Sequence, residues 1–213
     1  MITRKEIAAY IDHTNLSPDA TTEDIEALCE QAHRHRLKAV CVNSCHVAHA
    51  AHLLRNSPVL ICSVVGFPLG AMEPQAKAYE AALAVEQGAD EIDMVQNIGA
   101  VKEKTYEKVL RDIEGVVRCG ARVKVILETC LLTPSEIIAA CRIAEKAGAH
   151  FVKTSTGFST GGATTEYVSL MKKTVPTMKV KAAGGIKTFE DAVNMIEAGA
   201  DRIGASRGLD IIP

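Results

Sequence analysis

The sequence predicts an α/β protein, a single (β/α)8 barrel occupying residues 1–213 as one domain, with a short or absent helix at its C-terminus. Two observations carry this expectation. One is a seam that recurs as EQGADEIDMV, RCGARVKVIL, KAGAHFVKTS and EAGADRIGAS, where an amphipathic stretch ends at glycine and a short apolar run begins. Glycine just past a helix can take the left-handed conformation that closes the last turn. The β-branched run behind it reads as a buried parallel strand. The other observation is spacing: strand-like runs start about 20 to 30 residues apart, room for one helix, one strand and brief loops.

In chain order, residues 10–14 form the first strand, placed mainly by position. Ser17-Pro18 and then Thr21/Thr22 open a helix through IEALCEQAHRH, because a hydroxyl accepts from the free N–H groups of a first turn. Strands follow at 39–42, 60–65, 91–95 and 123–128. Thr133-Pro134 starts the helix SEIIAACRIAEKA ahead of the sixth strand at 151–154. The seventh, 179–183, leads to Thr188 and the helix FEDAVNMIEA, and 202–205 is the eighth. Residues 206–213 leave room for a one-turn stub and not for an outer helix.

With 213 residues, 47% hydrophobic and 23% charged, the chain can bury a sizeable core and is too apolar for disorder. A net charge of -2, 4% aromatic residues and no Trp give nucleic acid no footing. No run is long and apolar enough to span a bilayer, and MITRKEIAAYIDHT lacks the apolar core of a signal peptide. No membrane partner and a cytoplasmic location are therefore expected. The cysteines number seven, an odd set, and Cys29, Cys41, Cys62 and Cys141 sit in apolar runs, which suits reduced, packed thiols rather than disulfides.

In such a barrel the active site lies at the C-terminal ends of the strands. Residues there include Asp12, Asp93, Lys124, Glu128, Lys153, Lys181 and Ser206. A lysine within an apolar strand is anomalous, since lysine is almost never buried unless paired or neutralised. Lys124, Lys153 and Lys181 all show it. Each could reach solvent or pair with a carboxylate. Alternatively, desolvation and a neighbouring ammonium free one amine for attack on a carbonyl. Of Lys153 and Lys181, on adjacent strands, one can be the nucleophile and the other its electrostatic partner, with an acid such as Asp93 moving protons. The glycines of TSTGFSTGGAT, AAGGIKT and RIGAS offer backbone N–H groups to a phosphate, although they serve equally as tight-turn residues.

At these residues the chain resembles the deoxyribose-phosphate aldolases. IDHTNL, VGFPLG, EIDMVQNIGA, KVILET, FVKTSTGF, KAAGGI and RIGAS follow one another over nearly its whole length in the family's order. The resemblance implies an imine between Lys153 and the acetaldehyde unit, Lys181 as the second lysine that favours the uncharged amine, and Asp93 as an acid/base working through water. Asp12 and Lys124 would support this network, with Cys41 near the substrate. Phosphate would lie against Thr156, Gly157, Gly184, Gly185, Gly204 and Ser206. The implied substrate is a small phosphorylated sugar, 2-deoxy-D-ribose 5-phosphate, cleaved without metal or cofactor by a homodimer or higher homo-oligomer. The sequence departs from many members at Arg207, which either contacts phosphate or points away, and in ending at Pro213 without the longer tail and terminal Tyr of some members.

Three other readings compete. A zinc site at Cys45, His46, His49 and His52 is disfavoured because residues at i, i+3 and i+6 drift around a helix and no Cys-x-x-Cys supports them. A non-covalent phosphosugar isomerase or synthase, and a barrel that only binds a phosphometabolite, remain open from the residues alone.

Overall fold

The computed structural model describes residues 2, 3 and 6–212. Met1, Arg4, Lys5 and Pro213, and with them the ends of the 1–213 span and the C-terminal departure noted above, lie outside the described residues. Eight parallel strands close into a barrel in sequence order: β1 (Ile11–Asn15), β2 (Ala39–Val42), β3 (Leu60–Val65), β4 (Glu91–Val95), β5 (Arg122–Ile126), β6 (Phe151–Lys153), β7 (Lys179–Ala183) and β8 (Arg202–Ala205). β8 returns to β1 with Asp12 opposite Gly204, so no edge is left unpaired.

Helices cover the outside: α1 (Thr22–Arg34), α2 (Val47–Leu54), α3 (Pro74–Glu86), α4 (Ile98–Lys102), α5 (Tyr106–Val117), α6 (Pro134–Lys146), α7 (Thr165–Thr174), α8 (Phe189–Glu197) and the one-turn α9 (Gly208–Ile211). Thr21, Thr133 and Thr188 cap their helices as the sequence indicates, each in a reciprocal box with Asp24, Glu136 or Asp191. Gly88, Gly120, Gly148 and Gly199, the glycines of the four seams, all have positive φ. In α6 the buried Ile137, Ala140, Cys141 and Ala144 follow the spacing of one helix face. The stub after β8 is the expected one. The short α4, capped by Asn97 accepting from the Ala100 N–H, was not anticipated.

Three strands differ from expectation at their ends. Tyr10 closes a 3-10 turn, which moves the first strand on by one residue. Lys153 ends β6, and Thr154 instead locks that end to β7, its hydroxyl donating to the Ala183 carbonyl at 3.0 Å. β5 stops at Ile126 because Glu128 takes φ 58, a left-handed conformation incompatible with a continuing strand.

The main apolar core lies between the outer faces of the strands and the helices. Inside the barrel an apolar group of Leu16, Cys41, Cys62 and Val64 is gathered near Phe67, and the Phe151 ring lies against Lys124 and Arg202. Between them stand charged residues, where bulky branched side chains usually fill such a barrel. Among the described residues, no helix is long and apolar enough to cross a membrane.

Candidate active site

Strand alternation sets the interior. Residues two apart face the same way, so Glu91 and Asp93 on β4 both point inward, and neighbouring strands bring Lys124, Lys153, Lys181, Arg202 and Asp12 to meet them. Register places Asp93 opposite Lys124 and Lys153 opposite Lys181. All seven side chains are buried.

Asp93 is the hub. Its Oδ2 accepts from Lys153 Nζ and from Lys181 Nζ, each at 2.7 Å, and its Oδ1 accepts from Lys124 Nζ at 2.8 Å. The Cys62 thiol also donates to Oδ1, at 3.0 Å. Lys181 is held a second time by Asp12 Oδ2 at 2.6 Å, and Lys124 by Glu91 Oε2 at 2.6 Å. Below them Arg202 ties the two outer carboxylates together. Its Nε donates to Asp12 Oδ1 at 2.8 Å and its Nη2 to Glu91 Oε2 at 3.0 Å, with a further Nη2 contact to Asp12. Four cationic side chains thus share three carboxylates. Lys153 is the cation with one carboxylate partner among the described residues, and that oxygen is shared with Lys181.

The charges set one another's protonation. Burial alone would raise the Asp93 carboxyl, but Lys124, Lys153 and Lys181 together outweigh it and hold Asp93 well below the usual carboxylate range. Asp12 behaves likewise: burial opposes ionisation, Lys181, Arg202 and Lys124 overcome it, and the pKa is held at about 2. Burial disfavours the ammonium of Lys181, yet Asp12 and Asp93 push its pKa above the ordinary lysine value. Lys124 is pushed up still more firmly against the same burial cost, by Asp93, Cys62, Asp12 and Glu91.

These shifts define an acid limit. Asp12 is more acidic in the fold than its ordinary value of 3.8, so its contribution to stability is full above about pH 4 and lost as pH falls toward 2. Asp93 contributes with the same sign. Acid titration followed by circular dichroism should show stability declining through that window. Arg202→Met is expected to cost about 3–5 kcal/mol in urea denaturation, because it strips Asp12 and Glu91 of a buried partner without removing their charge.

Above the network a cavity of about 400 Å³ opens at the C-terminal ends of the strands. Thr156, Gly157, Gly184, Gly185, Gly204 and Ser206 line it, together with Lys153. Lys124 and Lys181 do not reach it. The difference is positional: Lys153 is the last residue of its strand, whereas two residues follow Lys181 in β7. Asp12, Asp93 and Cys41 also lie beneath the cavity. Cys41, which the resemblance placed near the substrate, does not line the cavity but packs with Cys62, Val64 and the cavity-lining Leu16.

Gly184 and Gly185 have φ of 89° and 81°, open to glycine and strained for other residues. Gly162 serves a different end. A Cβ there would sit 2.3 Å from the Gly184 carbonyl oxygen, so its part is close packing of two loops, not lining the cavity. Phe67 and Phe158 meet edge-to-face at 5.2 Å, joining the loops after β3 and β6 beside the cavity.

Two residues that the sequence reading left out complete the network. Arg202 and Glu91 were read only as strand termini, although their two-residue spacing from Gly204 and Asp93 assigns them to the interior face. Glu128 reaches back from its left-handed position to accept from the Thr156 N–H at 3.2 Å and from the Thr156 hydroxyl, bracing the loop that carries Gly157. Thr14, Asn15 and Lys187 line the cavity. Arg207 lines it too, with its Nη2 paired to Asp210 at 2.5 Å.

The His46 and His49 cluster does not converge on a metal position; His49 instead meets Glu26 at 3.3 Å. Among the described residues, donors that do lie together are Cys41, Cys62 and Asp93. The Lys124 ammonium already sits 3.3 Å from the Cys62 sulfur and 2.8 Å from Asp93, so the positive charge there is supplied by the chain itself.

A closed barrel with a lysine at the floor of a glycine-lined cavity, on the C-terminal ends of its strands, has the architecture of a barrel enzyme. The chain belongs to the DeoC/LacD family of aldolases, whose family model matches residues 6–212. A deoxyribose-phosphate aldolase of Thermococcus kodakarensis is 57% identical over 216 residues, covering 98% of this chain and 96% of that relative. Another from Finegoldia magna is 56% identical over 210 residues, covering 97% of this chain and 99% of the relative. The solved tetrameric structure of deoxyribose phosphate aldolase from Aeropyrum pernix matches with a TM-score of 0.93 at 35% identity, over 99% of this chain and 91% of that one.

Proposed function

We propose that this aldolase reversibly cleaves 2-deoxy-D-ribose 5-phosphate to D-glyceraldehyde 3-phosphate and acetaldehyde, through an imine on Lys153. The observation that carries the mechanism is the placement of Lys153: it is the interior-network lysine that lines the cavity, and it does so opposite the glycines and Ser206. The substrate follows from the relatives' shared activity and from that anion cradle.

In the proposed sequence the neutral Lys153 amine attacks the C1 aldehyde of the open-chain sugar. The carbinolamine loses water to give an iminium. Removal of the C3 hydroxyl proton breaks the C2–C3 bond, and its electron pair flows to C2, leaving an enamine and releasing glyceraldehyde 3-phosphate. Protonation at C2 and hydrolysis free acetaldehyde and restore the amine.

Lys181, kept charged by Asp12 and Asp93, supplies a fixed positive charge beside the reacting nitrogen. Asp93 stays ionised and orients both amines while water carries the protons. Phosphate is held by the N–H groups around Gly184, Gly185 and Gly204, with Ser206 adding a hydroxyl and the Thr156 loop, braced by Glu128, closing the cradle. A homo-oligomer, as in the Aeropyrum pernix relative, is proposed for this chain, which light scattering would measure. The substrate reading is tested by supplying 2-deoxy-D-ribose 5-phosphate in the presence of a chelator and measuring acetaldehyde. Release supports it, and no release from folded protein rejects it.

A further inference from the structure

The barrel has a second mouth. At the N-terminal ends of the strands, Lys38, Arg122, Lys179 and Arg202 line a separate recess of about 540 Å³ that also includes Glu91 and Asp201. Both carboxylates are already engaged. Glu91 pairs with Lys124 at 2.6 Å and Arg202 at 3.0 Å, and Asp201 accepts from Lys172 Nζ at 3.1 Å and the Val180 N–H at 2.9 Å. Arg122 approaches Glu91 only at 3.9 Å. Among the described residues, neither Lys38 nor Lys179 has a carboxylate within ion-pair distance; the Lys179 ammonium lies instead 5.7 Å from the centre of the Phe151 ring.

The floor of this recess is rigid, since Arg202 and Glu91 are buried and bonded to each other and to the network above. Its rim carries three cations with little compensation. A concave surface with an excess of positive charge focuses its field and recruits counter-ions. Lysine and the arginine fork are the donors that phosphate oxygens satisfy best. Three cations exceed the charge of one phosphate monoester, which carries about -1.5 to -2 at neutral pH.

We propose that this mouth is a binding site for a compact anion bearing two phosphoryl groups, with Lys38, Arg122 and Lys179 as its ligands. It lies at the opposite end of the barrel from the cavity that holds the sugar phosphate and needs no part of the reaction chemistry. Arg202 and Glu91 form its floor and at the same time anchor Asp12 and Lys124, so the two ends of the barrel share one ionic column.

Inorganic pyrophosphate is the probe. Calorimetric titration of the intact protein should resolve two classes of site, one at each end. Lys38→Glu/Lys179→Glu alters side chains at the solvent edge and should leave the circular dichroism spectrum unchanged. It should weaken one class by about tenfold or more, in keeping with the loss of charged phosphate donors, and spare the other. Lys146→Glu/Lys173→Glu makes the same change of net charge on exposed helix residues and should bind like the parent. The proposal is overturned if the mouth variant binds pyrophosphate as the parent does, or if the control variant loses as much affinity.

Discussion

Replacing Lys181 with Met should lower turnover by about 10²- to 10⁴-fold, the range of a positioned acid–base group, while the KM for the sugar phosphate changes little. Lys181 never touches the cavity, so substrate loses no direct contact. What disappears is the ammonium that bridges Asp12 and Asp93 at 2.6 and 2.7 Å and stands on the same carboxylate oxygen as Lys153. Two buried carboxylates lose a partner, so unfolding free energy should also fall by about 3–5 kcal/mol. Kinetics are therefore compared at equal folded fraction. A shift confined to KM, with turnover intact, would contradict the role given to Lys181.

Asp93→Asn should produce a structural effect of similar size. The carboxylate balances three ammonium groups within 2.8 Å, and the amide that replaces it offers no charge. The expected loss is again about 3–5 kcal/mol, and its pH dependence carries the diagnosis. With the Asp93 charge gone, three buried ammonium groups are left with Asp12 and Glu91, which Arg202 also shares, so burial favours loss of a proton from the trio below the unfolded lysine value of about 10.4. The folded variant then binds fewer protons than the unfolded chain, and its stability rises with pH between neutrality and that value. In the parent the sign is opposite: Lys124 and Lys181 have raised pKa values, so their contribution is full below 10.5 and lost as pH rises beyond it. Urea denaturation from pH 7 to 10 should show stability rising with pH in the variant and level in the parent, and equal slopes would refute the hub assigned to Asp93.

Much of this was legible in sequence because the barrel repeats a local rule. Gly88, Gly120, Gly148 and Gly199 end helices, and a buried strand follows each, so the strands could be found without knowing their partners. The lysines were conspicuous because charge is rare in buried strands. Which lysine reaches the cavity was not legible, since it depends on where the strand ends, and the end of β6 is set by Thr154 bonding to β7. The Arg202 and Glu91 floor was missed for a related reason. Each opens its strand, where a charge reads as an exposed terminus, and only barrel closure turns that position inward. Glu128 was legible as a residue at the active-site face but not in its part, because a left-handed glutamate has no sequence signature and its purpose is seen only when the Thr156 loop folds over it. Cys41 packs among Cys62, Leu16 and Val64, behind the cavity lining, a depth that strand position alone does not reveal.

Covalent trapping tests the central claim most directly. Treating the protein with acetaldehyde and borohydride, then mapping peptides by mass spectrometry, should find one ethyl group on Lys153, with activity lost in proportion. Lys153→Ala should carry no such adduct and show no cleavage. An active parent that forms no adduct, or an adduct at another lysine that persists in Lys153→Ala along with activity, would contradict the account.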